Sequence, residues 1–245
     1  MHHAQKTLLV LSALFALSIT LNVALWFSVR AVQVEWKSVP PTPGLSGALW
    51  TTLGDAQFAF RSYGIMIQNM GDTAGRTTSL RDYDYNALGE WFRLSHELDP
   101  ESGFMPLLAG YVFGAIRDHP EKLPPIIDYL EQAAGNGQGQ KWRFLSQAVF
   151  LARYRMNNMN KALDLAYKLA AFENPDMPGW TRQMPVFILT AQGEKQAAYE
   201  IMTNLLKSEA DNLHPNEVNA TLAYICEHIL DEREAVADPL CSIFH

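Results

Sequence analysis

A chain of 245 residues that is 48% apolar and 18% charged can bury a core, which excludes a peptide or a disordered polymer. The net charge of −7 excludes the basic face that neutralises phosphates, so no nucleic-acid partner is expected. Two cysteines, Cys226 and Cys241, exclude both a multi-bridge disulfide framework and a four-thiolate zinc site.

Residues 1–6 form a short tail carrying Lys6, and residues 7–29 follow without a charge. As a helix rising about 1.5 Å per residue, that run spans roughly 34 Å, enough to cross a hydrocarbon layer of ~30 Å. Trp26 and Trp36 suit the interfacial belt, with Arg30 and Lys37 holding the exit in water. The run exceeds the ~7–15 apolar residues of a cleaved signal peptide and no A-x-A site follows it, so an uncleaved transmembrane anchor is the expectation. Ser12, Ala16 and Thr20 recur every four residues, and Asn22 adds an amide. Together they offer a face for a second helix, or else they are tolerated against lipid. Lys6 and the α-amine nearly balance Arg30 and Lys37 under the positive-inside rule. The short tail before the anchor resembles a bacterial signal anchor, which implies the inner membrane with the body on the periplasmic side.

Residues 30–49 read as a proline-rich linker, because Ser38-Val39-Pro40-Pro41-Thr42-Pro43-Gly44 lacks the amides and dihedral freedom of a helix. It is expected to be a stiff, extended spacer. Setting aside Lys6, Arg30, Lys37 and Glu35, residues 50–245 hold 16 basic and 25 acidic side chains, a net −9. This disfavours a body lying on anionic lipid. No alternating strand pattern stands out, and an all-α body is expected over residues 50–231, with a tail at 232–245. Stop signals place helices at 50–70, 83–98, 102–117, 121–134, 140–156, 159–173, 178–191, 194–208 and 215–231. Pro106 and Pro185 sit deepest in their helices and mark later starts or kinks.

Residues 85–100 and 161–175 each end in an acidic residue, Asp or Asn, and proline after a helix bearing small residues, and a glycine turn at Gly193 precedes Ala197-Ala198. Leu88, Ile127, Ala162 and Ala198, taken as equivalent, are spaced 39, 35 and 36 residues apart. This pattern over residues 50–210 resembles the tetratricopeptide repeat family, whose period is ~34 residues. The full tryptophan, leucine-glycine and tyrosine signature of that family's first helices is absent. The resemblance implies an α-solenoid of antiparallel helix pairs, each burying its apolar face on the next, with helix 215–231 as a polar cap.

Nothing in the sequence carries catalytic chemistry. No two histidines share the i,i+4 spacing of a helical metal site, and His2 and His3 read as a solvated terminus. No phosphate loop, dinucleotide fingerprint or nucleophile elbow occurs. Gly135-Asn136-Gly137-Gln138-Gly139 lacks the lysine and preceding strand of a phosphate loop and reads as a turn between helices. No cofactor, metal or small-molecule substrate is expected, and an enzyme is the weaker reading. Cys226 and Cys241 either close a disulfide or remain thiols.

The connection at residues 71–85 is longer than the ~2–8 residues usual between helices. Arg76, Arg81, Tyr83 and Tyr85 there are candidates for a protein contact. Alternatively, the arginines pair with Asp82 or Asp84 and the tyrosines pack beneath the loop. In a tetratricopeptide-like stack, first helices would line a groove carrying Phe58, Arg61, Tyr63, Tyr111, Arg117, Arg143, Arg153, Tyr154 and Arg182. The resemblance therefore implies protein partners and the role of scaffold, accessory subunit or assembly factor of a membrane complex. The alternative is a periplasmic chaperone for extended peptides or apo-proteins.

Overall fold

The computed structural model describes residues 2–30, 39–73, 76–209 and 214–242, without the side chains of residues 2–4, 72, 73, 76 and 209. Trp36, Lys37, the first part of the linker and the side chains of His2, His3 and Arg76 lie outside the described residues. Two units separate at Lys37.

The first unit is one helix, α1 (His2–Val29), whose stretch Gln5–Val29 is long and apolar enough to cross a membrane. The Thr20 hydroxyl donates to Ala16 O at 2.8 Å and the Asn22 amide to Ser18 O at 2.9 Å, so both polar groups are satisfied within the helix. The Arg30 guanidinium lies 4.3 Å from the Phe27 ring and 5.1 Å from that of Trp26.

In the second unit the described part of the linker, from Val39 onward, is fastened. Val39 is buried, the Trp91 indole donates to Pro40 O at 2.7 Å, and residues 44–51 already form a helix, α2 (Gly44–Thr51). The spacer expected at 38–44 is therefore held on the body from Val39 onward, because Trp91, far along the chain, claims the Pro40 carbonyl. The helix expected at 50–70 is broken at Leu53-Gly54, both at positive φ. Asp55 then caps α3 (Ala56–Gln68) by accepting from Phe58 N at 2.9 Å.

The connection after α3 holds a hairpin, β1 (Asp72–Thr73) against β2 (Arg76–Thr77), the sole strands among the described residues. Asp84 caps α4 (Tyr85–Leu98). Helix α5 (Phe104–Leu107) runs on through a wide π turn at Leu108–Val112 and a tight turn at Phe113–Ala115. Next come α6 (Pro124–Ala134), with two prolines in its first turn, and α7 (Trp142–Phe150), which passes into a π turn at Leu151–Arg155. Asn158 caps α8 (Met159–Ala170), and Gly193, at φ +82°, ends α9 (Trp180–Gln192). Pro106 falls in the first turn of α5, whereas Pro185 sits inside α9. After α10 (Lys195–Glu209) comes α11 (Pro215–Tyr224), extended by a π turn at Ile225–Ile229. The expected tail instead forms α12 (Glu232–Ala237), and a Cys226–Cys241 disulfide fastens its end.

From α3 onward each helix packs on the next, and alternate helices touch as well. Along the odd series, a methyl group on Gly64 would come within 3.0 Å of Met105, and Gln147 reaches Gly110 O at 3.3 Å. The Trp142 and Trp180 rings meet at 5.7 Å, and Gln183 donates to Thr221 Oγ1 at 2.7 Å. These contacts run α3–α5–α7–α9–α11. Along the even series, Gly89 lets α4 close on Pro125 of α6, and Phe92 stacks on Tyr129 at 5.1 Å. Glu131 of α6 accepts from Lys161 and Lys168 of α8 at 3.1 and 2.7 Å. The core lies between the series, built from residues such as Leu88, Ile127, Leu130, Leu145 and Leu165. The glycine-rich turn is held by Asn174, which is buried and donates to Gly137 O at 2.7 Å and Gly139 O at 2.9 Å.

The Tyr129 hydroxyl is buried with no hydrogen-bond partner among the described residues, and burial raises its pKa. A hydroxyl buried without a partner costs about 1–3 kcal/mol. Tyr129→Phe should accordingly raise stability by about 1 kcal/mol in urea unfolding, and a loss of stability would show that the hydroxyl has a partner.

Burial pushes the Glu131 carboxyl up, but hydrogen bonds from Lys168 and Lys161 outweigh it and leave the group below its ordinary value. The folded state therefore holds this proton more weakly than the unfolded chain. The stabilisation is complete above the ordinary carboxylate pKa of about 4.3 and is lost as pH falls through the lower folded value. Glu131→Gln should be less stable than the parent at neutral pH and approach it on acidification, measured by thermal melts across that window.

Candidate functional site

Helices α4 and α6 expose a different chemistry from α3, α5 and α7. Exposed positions of α4 are Asn86, Glu90, Arg93 and Glu97, and those of α6 are Pro124, Asp128 and Gln132. Solvated polar side chains of this kind need no cover. The odd helices instead expose Phe58 and Ile65 on α3, Leu107 on α5 and Phe150 on α7. Large apolar side chains recurring on the same side of successive helices form a face, which isolated exposed residues do not.

Two π turns contribute directly to that face. Leu108-Ala109-Gly110-Tyr111-Val112 and Leu151-Ala152-Arg153-Tyr154-Arg155 have the same form, with the first two residues buried and the tyrosine 64% exposed in one and 61% in the other. A wide turn fits an extra residue into the helix, so the leucine stays in the core while the tyrosine swings outward. In the third π turn the corresponding residue is His228, also exposed, with its ring 5.0 Å from that of Tyr224.

An open groove of about 470 Å³ lies where α7, α9 and α11 meet. Phe150, Arg153 and Tyr154 line it from α7 and its π turn, Trp180, Met184 and Phe187 from α9, and Tyr224 from α11. The Phe150 and Tyr154 rings lie 5.1 Å apart, Phe187 meets Tyr224 edge-on at 4.9 Å, and the Arg153 guanidinium sits 4.8 Å from the Tyr154 ring. Such walls bury apolar side chains and stack planar groups, and the single cation can hold a carboxylate.

Six of the residues expected in the groove bear on this face. Phe58 and Arg61 are exposed on one side of α3, Tyr111 and Tyr154 occupy the π turns, and Arg153 lines the groove. Arg143 is exposed on the side of α7 that carries Phe150, its guanidinium 5.1 Å from Trp142 and bonded to Gln140 at 2.6 Å. The remaining three fall elsewhere. Tyr63 turns inward, its ring 5.1 Å from Trp91 and its hydroxyl 3.0 Å from Thr51 Oγ1. Arg117 lies beyond the helix, in the connection after Ala115. Arg182 points to the other side of α9, into a cavity of about 700 Å³ shared with Tyr167, Phe172 and Leu205.

The long connection resolves in favour of packing for its tyrosines. Tyr83 and Tyr85 are buried, so they offer no contact area to a partner. The Tyr83 hydroxyl donates to Met70 O and that of Tyr85 to Phe113 O at 3.0 Å. Burial, and then Tyr83, pushes the Tyr85 phenol up to about 12. Lys122 ties the loop down through Arg81 O and Tyr83 O. Arg81 is exposed and sits 3.8 Å from Asp82, while the Arg76 side chain lies outside the described residues.

Trp180, Met184 and Phe187, spaced i, i+4 and i+7, were legible as one helix face, as was the duplicated leucine-alanine-x-tyrosine string. A second apolar patch at the α2–α3 turn carries Trp50, 83% exposed, and Leu53, 99% exposed, over a depression of about 530 Å³. Among the described residues no three His, Cys, Asp or Glu side chains gather as a metal site would require. No family model, curated protein or solved structure matches this chain.

Proposed function

We propose that the chain is a membrane-anchored, tetratricopeptide-like α-solenoid that serves as a scaffold, accessory subunit or assembly factor of a membrane protein complex, docking its partner on the odd-helix face. The observation that carries the reading is the contrast between the two outward sides. Helices α4 and α6 turn charge and amide to solvent, whereas α3, α5 and α7 present large apolar side chains that lose free energy by remaining wet. Side-by-side contact of α5, α7, α9 and α11, which start at residues 104, 142, 180 and 215, supports a stack of similar hairpins.

The length and composition of α1 support the anchor. Trp50 and Leu53 are exposed at the start of the second unit, and an exposed tryptophan beside leucine suits a membrane interface. The Cys226–Cys241 disulfide supports an oxidising compartment, and with it a periplasmic body at a bacterial inner membrane.

Affinity capture from detergent-solubilised native membranes should return one stoichiometric partner complex. Tyr154→Ser combined with Phe187→Ser, with the fold verified by circular dichroism, should reduce its recovery at least tenfold, as expected for two aromatic contacts. Undiminished recovery would remove the face from the reading, and many substoichiometric clients would indicate the chaperone. Alkaline phosphatase fused after His245 should be active and a fused green fluorescent protein dark. The opposite pair of signals would place the body in the cytoplasm.

A further inference from the structure

Four of the five odd helices differ from the even ones in charge as well as in apolarity; the fifth, α11, carries Glu217, and Glu227 stands on the π turn that extends it. Over α3, α9, and α5 and α7 with the turns that extend them, there is no Asp, no Glu and no Lys. The same four segments hold Arg61, Arg143, Arg153, Arg155 and Arg182. The even helices α4, α6, α8 and α10 all carry acidic residues. The even helices also hold five basic residues, Arg93, Lys161, Lys168, Lys195 and Lys207, so what sets the four odd segments apart in a body of net charge −9 is arginine with no acid beside it.

Three of these arginines stand on the exposed face: Arg61 beside Phe58 and Ile65, Arg143 beside Phe150, and Arg153 in the groove. None of the three forms an ion pair among the described residues, although Arg81, Lys141, Lys161 and Lys168 each do. Arg153 and Arg143 instead lie beside tyrosine and tryptophan rings, which fixes each guanidinium and leaves donors free for a planar acceptor. Arginine without lysine is the choice that suits bidentate carboxylate recognition next to aromatic surface.

We infer that the occupant of this face is an acidic, apolar segment of a partner protein, with carboxylates set among leucine-sized or aromatic side chains. Its apolar groups fill the groove between α7, α9 and α11, and its carboxylates meet Arg153, Arg143 and Arg61. A groove with walls formed by three helices suits a peptide, whereas a flat anionic bilayer would reach only its rim. The inference rests on the docking reading above and adds the chemistry of the partner to it.

The test pans a random dodecamer display library on the full chain held in nanodiscs of zwitterionic lipid, with empty nanodiscs as the control. Enriched sequences should be net acidic and carry two or more large apolar residues. Their affinity should fall at least tenfold with Arg61→Gln, Arg143→Gln and Arg153→Gln combined, and should weaken with added salt. Enriched sequences that are neutral or basic would overturn the acidic partner while leaving the docking face in place. Absence of enrichment over empty nanodiscs would overturn the docking face itself. Phosphatidylglycerol vesicles are offered to the same nanodiscs. Arginine-dependent vesicle binding without peptide enrichment would assign the face to lipid and overturn the inference.

Discussion

A helix of a dozen residues cannot bury an apolar stripe alone, and everything beyond residue 38 follows from how this chain meets that constraint. The odd helices lean on each other through glycine contacts and aromatic pairs, and the even helices through Gly89 against Pro125 and the Glu131 ion pairs. Between the series runs a continuous core from Val39 to Ile188, and a second cluster around Met202 and Ile225 adjoins it through Leu163. Helices α4 and α6 need one apolar side and have one. Helices α3, α5 and α7 have more apolar surface than the core consumes, and the excess is exposed.

The π turns let one helix serve both purposes. A regular α-helix would keep Leu108 and Tyr111, or Leu151 and Tyr154, close together on one side of the cylinder. With five residues in the turn, the leucine remains buried while the tyrosine stands in solvent. The wide turns also shift main-chain pairing, since Met156 N reaches back to Leu151 O and Leu230 N to Ile225 O. Such turns are rare and occur frequently at functional sites.

Much of the architecture was legible because its boundaries are set by local chemistry. Asp84, Asn158, the prolines at 124 and 125, and Gly193 each act within a few residues of where they stand. What escaped the sequence depends on partners far along the chain or on hydrogen-bond register. Docking of Pro40 needs Trp91, burial of Tyr83 needs the carbonyl of Met70, and closure of the last segment needs Cys226 to meet Cys241. Tyr63 and Arg182 were misplaced by helix rotation: each belongs to an odd helix but points away from the exposed side. Aromatic and arginine content could be read directly, whereas the direction of each side chain could not.

Charge separation across one body has a length scale that decides whether it matters. Neighbouring helix axes lie about 8–10 Å apart, close to the screening length at physiological salt. Carboxylates on the outer side of the even helices sit at least one layer behind the odd face, so distance, and the salt around the body rather than within it, weakens their repulsion on a group bound there. Arg153, with no acidic residue on its own helix or on either odd neighbour's exposed groove wall, acts on such a group at contact distance, where screening is weak. The net charge of the chain thus governs its solubility, and the local sign of the odd face governs what can lie on it.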